Sequence, residues 1–170
     1  TTGNWNSAQT VTVTGVDDAV DDGDISSGIT IAINTGSTAD SIYDTVSSQT
    51  VAVTNTDDDT AGFTIAETSG TSVSEAGSTD TFTVVLNSQP TGNVVFNVTS
   101  GDTGEATVSS STLTFTTGNW NSAQTMTVTG INDDIDDGNV NSTTTIAINT
   151  GSTADSAYDS VSSQTVTVTT

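Results

Sequence analysis

The stretch Gln124-Thr125-Met126-Thr127-Val128-Thr129 alternates polar and apolar side chains residue by residue. The same alternation occurs upstream, in Gln9-Thr10-Val11-Thr12-Val13-Thr14. Successive side chains of a β-strand point to opposite faces, so strict alternation indicates a strand with one buried and one solvated face. Both stretches are therefore predicted to be half-buried strands.

The two stretches belong to an internal repeat with an offset of 115 residues. Residues 1–55 align without a gap on residues 116–170, and 41 of the 55 aligned pairs are identical. The pair Val11/Met126 exchanges one apolar residue for another, which is typical of a core position. We predict three parts: the C-terminal half of one repeat (1–55), an acidic joint (56–61) and one complete repeat (62–170).

Further strands are predicted wherever short runs rich in Val, Ile, Thr or Phe lie between turn residues. In the half repeat they are residues 9–14, 28–34 and 47–54. In the complete repeat they are 62–67 and 71–75 (one split strand), 80–87, 93–100, 105–109, 124–129, 143–149 and 163–169. No segment has a helical period. This pattern is typical of an all-β, immunoglobulin-like β-sandwich, so the chain is predicted to hold one and a half sandwiches in tandem.

The half repeat cannot bury its own apolar side chains. Three strands without a facing sheet would leave residues such as Val13, Ile31 and Val51 in water. We therefore expect residues 1–55 to be completed either by a neighbouring chain or by sequence upstream of this chain.

The composition excludes several classes of function. Lys, Arg, His and Cys are absent, and 21 acidic residues give a net charge of −21. Nucleic acids and anionic membranes are excluded as partners, because both require Lys or Arg. A Ser nucleophile would lack its usual base, so we predict that the protein is not an enzyme.

The acidic residues also indicate a compartment. Eighteen are Asp and three are Glu, an excess that indicates acidic turns on a β scaffold. Such an uncompensated charge opposes compaction unless cations screen it. We therefore expect a saline, calcium-bearing exterior: a secreted or cell-surface location. No apolar run reaches transmembrane length, and we expect no signal peptide within these residues.

Several motifs follow one another in a recognisable order. They are Ser74-Glu75-Ala76-Gly77, Thr112-Leu113-Thr114-Phe115-Thr116-Thr117-Gly118, Gln124-Thr125-Met126-Thr127-Val128, Asn132-Asp133-Asp134-Ile135-Asp136-Asp137-Gly138 and, closing the first copy, Val51-Ala52-Val53-Thr54-Asn55-Thr56-Asp57-Asp58-Asp59. This order resembles the Calx-beta family. Residues 82–90 and 117–121 are similar to tandem Calx-beta-like repeats of very large bacterial surface and secreted proteins.

The resemblance implies a seven-stranded Greek-key sandwich that binds calcium at one tip. In calcium-sensing members the ligands come from a Glu near the first strand, an acidic loop before the sixth strand and an Asp cluster after the last strand. The matching positions here are Glu75; Asp17, Asp18 and Asp22 in the first loop; Asn132, Asp133 and Asp137 in the second loop; and the cluster Asp57, Asp58 and Asp59, with Asp102 as a further carboxylate.

Calcium takes six to eight oxygen ligands, several of them carboxylates. The first copy has the loop and the Asp cluster but no matching Glu, whereas the second has Glu75 and the loop but no Asp cluster within the chain. Neither site is therefore complete, and Asn132 should weaken the second by removing a charge. The simpler alternative is a pair of solvated acidic turns.

We expect a structural, calcium-stiffened tandem repeat of a large extracellular adhesin stalk or matrix fibre. Its partners would be other copies of the repeat, in tandem or by strand complementation between chains. The alternative is a glycan- or surface-binding module that uses Trp5 or Trp120. Tryptophans before a strand more often cap a sandwich core, and Tyr43 and Tyr158 are expected to pin their own loops.

Overall fold

The chain divides into two compact units, seen in a computed structural model that describes residues 3–68, 70–136 and 138–170. Unit 1 comprises Gly23–Asp57 together with the chain up to Asp18. Unit 2 comprises Ala19–Asp22 and Asp58–Thr170. Within the described ranges, no helix is long and apolar enough to cross a membrane.

Unit 2 is a sandwich of two β-sheets. The first sheet has the order β3-β5-β9-β7 and the second the order β4-β11-β10-β6-β8. All neighbouring strands are antiparallel except β4 and β11, which are parallel. The strands are β3 (Phe63–Glu67), β4 (Thr71–Ser72), β5 (Thr79–Leu86), β6 (Val94–Ser100), β7 (Ala106–Val108), β8 (Thr112–Phe115), β9 (Gln124–Gly130), β10 (Asn141–Ile148) and β11 (Gln164–Thr169).

The core of unit 2 lies between these sheets because each strand turns its apolar residues inward. The pattern is plain in β9, where Met126 and Val128 are buried and the threonines between them are not. The ring of Phe96 lies edge-on to those of Phe63 and Phe115, with centroids 4.9 and 5.9 Å away. Burying one such side chain contributes about 1.5–3 kcal/mol. The all-β sandwich predicted for this part of the chain is confirmed.

Two polar side chains, Tyr158 and Asp80, hold loops of unit 2 in place by hydrogen bonds. The buried Tyr158 hydroxyl donates to the Ser88 carbonyl at 2.6 Å, and burial raises the pKa of Tyr158. Tyr158 therefore ties its own connection to the turn after β5. Asp80 accepts hydrogen bonds from the backbone N–H groups of Ser72 and Thr81, which lower the pKa of its carboxyl.

Unit 1 repeats the local structure of the last third of unit 2. Its strands β1 (Ile25–Ile31) and β2 (Gln49–Asn55) pair antiparallel, with Ile31 opposite Gln49. Ile146 lies opposite Gln164 in unit 2, which is the same register after the 115-residue offset. A 3-10 helix at Ser41–Thr45 likewise matches one at Ser156–Ser160.

No described residue of unit 1 is buried. Val51 and Ile31 are 53% and 55% exposed, whereas their counterparts Val166 and Ile146 are 0% exposed. The expectation that these strands leave an apolar face uncovered is confirmed for the described chain.

One predicted strand is wrong. Residues 9–14 form no strand, although the counterpart stretch is β9, which pairs with β5 and β7. A strand requires hydrogen-bonded neighbours, and unit 1 contains no equivalent of β5 or β7 among its described residues. The alternating pattern specifies the faces of a strand but cannot supply the partner strand. The second predicted strand, 28–34, lies three residues earlier, at Ile25–Ile31.

Candidate metal centre

A concavity of about 600 Å³ lies at one end of unit 2 and carries three carboxylates. Glu75, Asp134 and Asp136 all line it. The last residue, Thr170, also lines it. The remaining lining residues are Ser74, Ala76, Ile135, Gly138 and Asn139.

Glu75 is placed by a tight turn that follows β4. The turn closes when the N–H of Gly77 donates to the carbonyl of Ser74 at 2.9 Å, and Gly77 has a left-handed φ of 79°. The turn packs directly on Gly130, where a side-chain Cβ would overlap the Ser74 carbonyl oxygen. The N–H of Gly130 donates to Ser78 at 3.0 Å. The absence of a side chain at Gly130 therefore lets the turn that carries Glu75 approach the start of the acidic loop.

The acidic loop, residues 131–140, is anchored at both ends. The N–H of Ile131 donates to the Glu105 carbonyl at 2.8 Å. Val140 and Thr170 exchange two backbone hydrogen bonds of 3.2 and 2.9 Å. Gly138 adopts a φ of 73°, which favours glycine. These anchors fix the ends of the loop that brings Asp134 and Asp136 to the concavity.

Of the residues predicted in this copy, Glu75 lines the concavity. Asp133 is half-buried and accepts a hydrogen bond from the N–H of Ile135 at 2.8 Å, and it is not among the lining residues. Asp102 shapes its own turn by accepting from the N–H of Gly104 at 3.0 Å. Asp137 lies outside the described residues.

Sequence reasoning missed Asp134 and Asp136 as lining residues. The spacing taken from the family resemblance selected Asp133 and Asp137 instead. The sequence signal that could have found them is the whole run of acids between Asn132 and Gly138. In a loop without strand alternation, any of these acids can face inward.

The equivalent loop of the first copy is residues 16–24, and its unit 1 residues are held to the segment at the end of β2. Asp57 Oδ2 accepts from the N–H of Gly23 at 2.6 Å, and the N–H of Asp57 donates to Asp24 Oδ1 at 3.0 Å. The side chain of Asn55 donates to the Val16 carbonyl at 2.8 Å. The structure therefore places Asp57 against the acidic loop; its role as a metal ligand stays a prediction.

The repeat offset relates this arrangement to the concavity of unit 2. Gly23 and Asp24 correspond to Gly138 and Asn139, which line the concavity. Gly23 has a φ of 78°, close to that of Gly138. The space beside Gly138 in unit 2 therefore corresponds to the place that Asp57 occupies in unit 1.

The other ligands predicted for the first copy are divided between the units. Asp17 and Asp18 are exposed residues of unit 1. Asp22, Asp58 and Asp59 belong to unit 2, where Asp59 is half-buried and the other two are exposed. Next to them, the Asp21 carboxylate accepts from the N–H of Ala61 at 2.7 Å. A single site made by all six residues remains a prediction.

The donor chemistry of the concavity fits a hard divalent cation. Its potential ligands are oxygens: the carboxylates of Glu75, Asp134 and Asp136, the amide oxygen of Asn139 and nearby hydroxyls. The chain has no His or Cys, so the nitrogen and sulfur ligands that zinc and copper prefer are absent. Several carboxylates in an open, loop-built site suit calcium better than magnesium, which demands a rigid octahedron.

Comparison with known proteins assigns no family to this chain. No family model matches it. No curated protein matches it either.

Solved structures give weak likenesses only. The chain is similar to SSP-19, an MSP-domain protein like family member in Caenorhabditis elegans, with 15% identity, a TM-score of 0.39, and 59% of this chain and 90% of that chain covered. Domains 4 and 5 of the S-layer protein SbsC match with 26% identity and a TM-score of 0.37, covering 72% of this chain and 51% of that one. A structure of SbsC domains 1–6 matches with 28% identity and a TM-score of 0.38, covering 74% and 15%.

Proposed function

We propose that this protein is a structural repeat module of an extracellular or cell-surface protein, such as an adhesin stalk or a matrix fibre. Calcium bound by its acidic loops would stiffen the joints between successive sandwiches. The proposal includes a non-catalytic role, because the sequence offers no nucleophile–base pair. The order of motifs that resembles the Calx-beta family supports it.

The observation on which the proposal rests is the grouping of Glu75, Asp134 and Asp136 around one concavity. No Lys, Arg or His exists anywhere in the chain to neutralise them. Carboxylates held at one end of a domain repel one another unless a cation lies among them. A bound calcium ion would convert that repulsion into a bridge between the Glu75 turn and the acidic loop.

Calcium binding would be measured by titration calorimetry and by thermal unfolding in calcium and in chelator. At a calcium concentration about 100 times Kd, binding adds about 2.7 kcal/mol to the free energy of unfolding. For unit 2, that corresponds to a rise in Tm of about 10 °C. Identical unfolding curves in calcium and in chelator would remove the metal from the proposal.

The matched pair Glu75→Gln and Asp159→Asn assigns the site. Each variant removes one negative charge, but Asp159 is exposed on the 3-10 helix and is not a lining residue. We expect Glu75→Gln to weaken calcium binding at least about tenfold, since it removes a direct ligand. Asp159→Asn should leave the calcium affinity within about twofold. Equal losses in both variants would indicate diffuse screening instead of a site.

Stiffening of the joint needs a separate readout, because the ligands predicted there are Asp57, Asp58 and Asp59 and not the lining residues of the concavity. Amide hydrogen exchange at residues 56–61 should slow in calcium relative to chelator, because bound segments open less often. Calcium binding without slower exchange in this segment would leave a metal site but exclude the stiffening role.

The alternative function, a glycan-binding module, is favoured by Trp5, which is 80% exposed. Its counterpart Trp120 is half-buried and packs against the core of unit 2. Trp5 is therefore exposed because no second sheet among the described residues covers unit 1. Quenching of Trp5 fluorescence by soluble glycans, retained in Trp120→Phe and lost in Trp5→Phe, would support the alternative.

A further inference from the structure

We propose that the apolar face of unit 1 is a docking surface for one kind of partner. That partner is a polypeptide segment with the sequence pattern of residues 62–115, the first half of another repeat of this kind. It would complete a second β-sandwich around residues 1–55. This inference extends the proposed structural role and does not depend on calcium.

The repeat itself shows what covers this face. Unit 1 and residues 116–170 share a sequence and a strand register, yet only the latter are packed against a first-half segment. Val13, which is 48% exposed, corresponds to the fully buried Val128. Tyr43, which is 53% exposed, corresponds to Tyr158, which is 1% exposed. In unit 2, a first-half segment and a second-half segment are packed together. Unit 1 corresponds to the second-half segment alone.

Backbone pairing in unit 2 gives the register of the docked strands. β10 pairs with β6, with Ile146 opposite Val98. Shifted by the repeat offset, Ile31 at the equivalent edge of β1 would lie opposite the Val98 position of the incoming segment. Residues 9–15 would pair with its β5-like and β7-like strands, as β9 does.

Side-chain contacts in unit 2 give the same assignment. The Tyr158 hydroxyl donates to the Ser88 carbonyl, and the Gln164 amide donates to the Phe63 carbonyl at 2.8 Å. Both acceptors lie in the first-half segment. The equivalent donors of unit 1, Tyr43 and Gln49, are conserved in type and sit on the same local scaffold. The strands β1 and β2 and the 3-10 helix of this surface are therefore already formed in unit 1, which lowers the entropic cost of docking.

Stoichiometry argues against a second copy of this chain as the partner. Each chain contains two second-half segments, residues 1–55 and 116–170, but one first-half segment. If one copy gave its first-half segment to unit 1 of another copy, its own residues 116–170 would lose their cover. The cover must therefore come from an additional first-half segment.

The occupant of this surface is inferred to be acidic, by analogy with unit 2. The counterpart face of unit 2 is covered by an acidic segment, in which residues 62–115 include five acids and no Lys or Arg. The attraction is therefore apolar burial together with β-pairing. Higher salt should strengthen docking, because it screens the repulsion between two acidic partners.

The test joins a duplicate of residues 61–115 directly ahead of residue 1 of the full chain. The junction then reproduces the natural sequence, since Phe115 precedes Thr116 in the complete repeat. The measurement is amide hydrogen exchange across residues 9–15, carried out in chelator so that failure of the calcium proposal leaves it unaffected. We expect protection there to rise by about a thousandfold over the unextended chain.

A second readout is the fluorescence of Trp5 in a Trp120→Phe background, which leaves Trp5 as the single indole because residues 61–115 contain no Trp. Its emission should shift to the blue and its quenching by acrylamide should fall when the extension is present.

Two neighbouring substitutions provide the matched control. Val51 corresponds to the buried Val166, whereas Ala52 corresponds to Thr167, which is exposed. In the extended chain, Val51→Asp should abolish both the protection and the blue shift, and Ala52→Asp should retain both. Neither substitution should matter much without the extension, because both positions are exposed there.

Two outcomes would overturn the proposal. The first is that residues 9–15 exchange as fast with the extension as without it. The second is that the unextended chain already protects these residues by self-association, which would make a second copy the partner. An equal loss of protection in Val51→Asp and Ala52→Asp would also count against it, because that pattern indicates a charge effect instead of burial.

Discussion

Tyr158 and Tyr43 show how one residue type takes different roles in the two copies. Each follows an Asp that caps a 3-10 helix through its side chain, Asp155 or Asp40. Tyr158 is buried and bonded to Ser88, whereas Tyr43 is more than half exposed. Local sequence therefore sets the helix and its cap, and a segment distant in sequence decides whether the ring is buried.

Replacement of Tyr158 by Phe should destabilise unit 2 by about 1–3 kcal/mol, because it leaves the buried Ser88 carbonyl without its donor. The readout is urea unfolding at neutral pH. The control is Tyr43→Phe, whose hydroxyl is in an exposed side chain, and it should change stability by less than about 0.5 kcal/mol. Equal effects would contradict the structural role of Tyr158.

The raised pKa of Tyr158 adds a pH dependence. Burial disfavours the phenolate in the folded state, so the unfolded chain ionises first. Tyr158 therefore contributes stability below its ordinary pKa of about 10, and this contribution is lost as the pH rises towards the folded-state value. Unfolding measured from pH 8 to above pH 10 should show this decline in the native chain and a smaller one in Tyr158→Phe. Parallel pH profiles would be inconsistent with it.

At the scale of elements, the turn that carries Glu75 depends on Gly130. A methyl group at this position would meet the Ser74 carbonyl oxygen, so either the turn or β9 must shift. We expect Gly130→Ala to cost about 1–3 kcal/mol of stability and to weaken calcium binding, because Glu75 moves with the turn.

The control for this substitution is Gly77→Ala. A Cβ at Gly77 has open space, but its φ of 79° is unfavourable for alanine. Gly77→Ala should therefore lower stability through backbone strain alone, by about 1 kcal/mol. Thermal unfolding and calcium titration on both variants separate the two effects. If Gly130→Ala kept native stability and calcium affinity, the close packing on Ser74 would not position Glu75.

The elements that could be predicted from sequence are those whose pattern is local. The predicted strand 80–87 lies one residue away from β5, Thr79–Leu86, and the predicted strand 93–100 differs by one residue from β6, Val94–Ser100. Residues 9–14 have the same alternation and form no strand, because their partners β5 and β7 belong to another half repeat. The candidate site shows the same limit. Glu75 could be predicted from its motif. Which acids of the irregular loop line the concavity could not be predicted, because an irregular loop has no regular alternation of inward and outward side chains.

For the whole molecule, the net charge of −21 with no positive side chain makes stability depend on ionic strength. The Debye length falls from about 30 Å at 0.01 M salt to about 8 Å at 0.15 M, so distant carboxylates stop repelling one another. We expect Tm to rise by about 5 °C over this range in sodium chloride, as measured by circular dichroism in chelator.

Calcium at the same ionic strength should raise Tm further, because a bound ion stabilises the folded state by mass action as well as by screening. Magnesium is the control for divalent charge. A Tm that is independent of sodium chloride would show that the acids are too dispersed to repel, and equal effects of calcium and magnesium would favour screening over a specific site.

The parallel pairing of β4 with β11 has a mechanical consequence. Thr71 lies beside Val168 and Ser72 beside Thr169, and the N–H of Val73 donates to the Thr169 carbonyl at 2.9 Å. These strands lie near the entry and the exit of the chain in unit 2 and run in the same direction. Tension applied to the two ends would therefore slide them past each other, and their hydrogen bonds would have to break together instead of one by one. We therefore expect this short parallel pair to give unit 2 more resistance to pulling along the chain than its few hydrogen bonds would give if they broke one at a time.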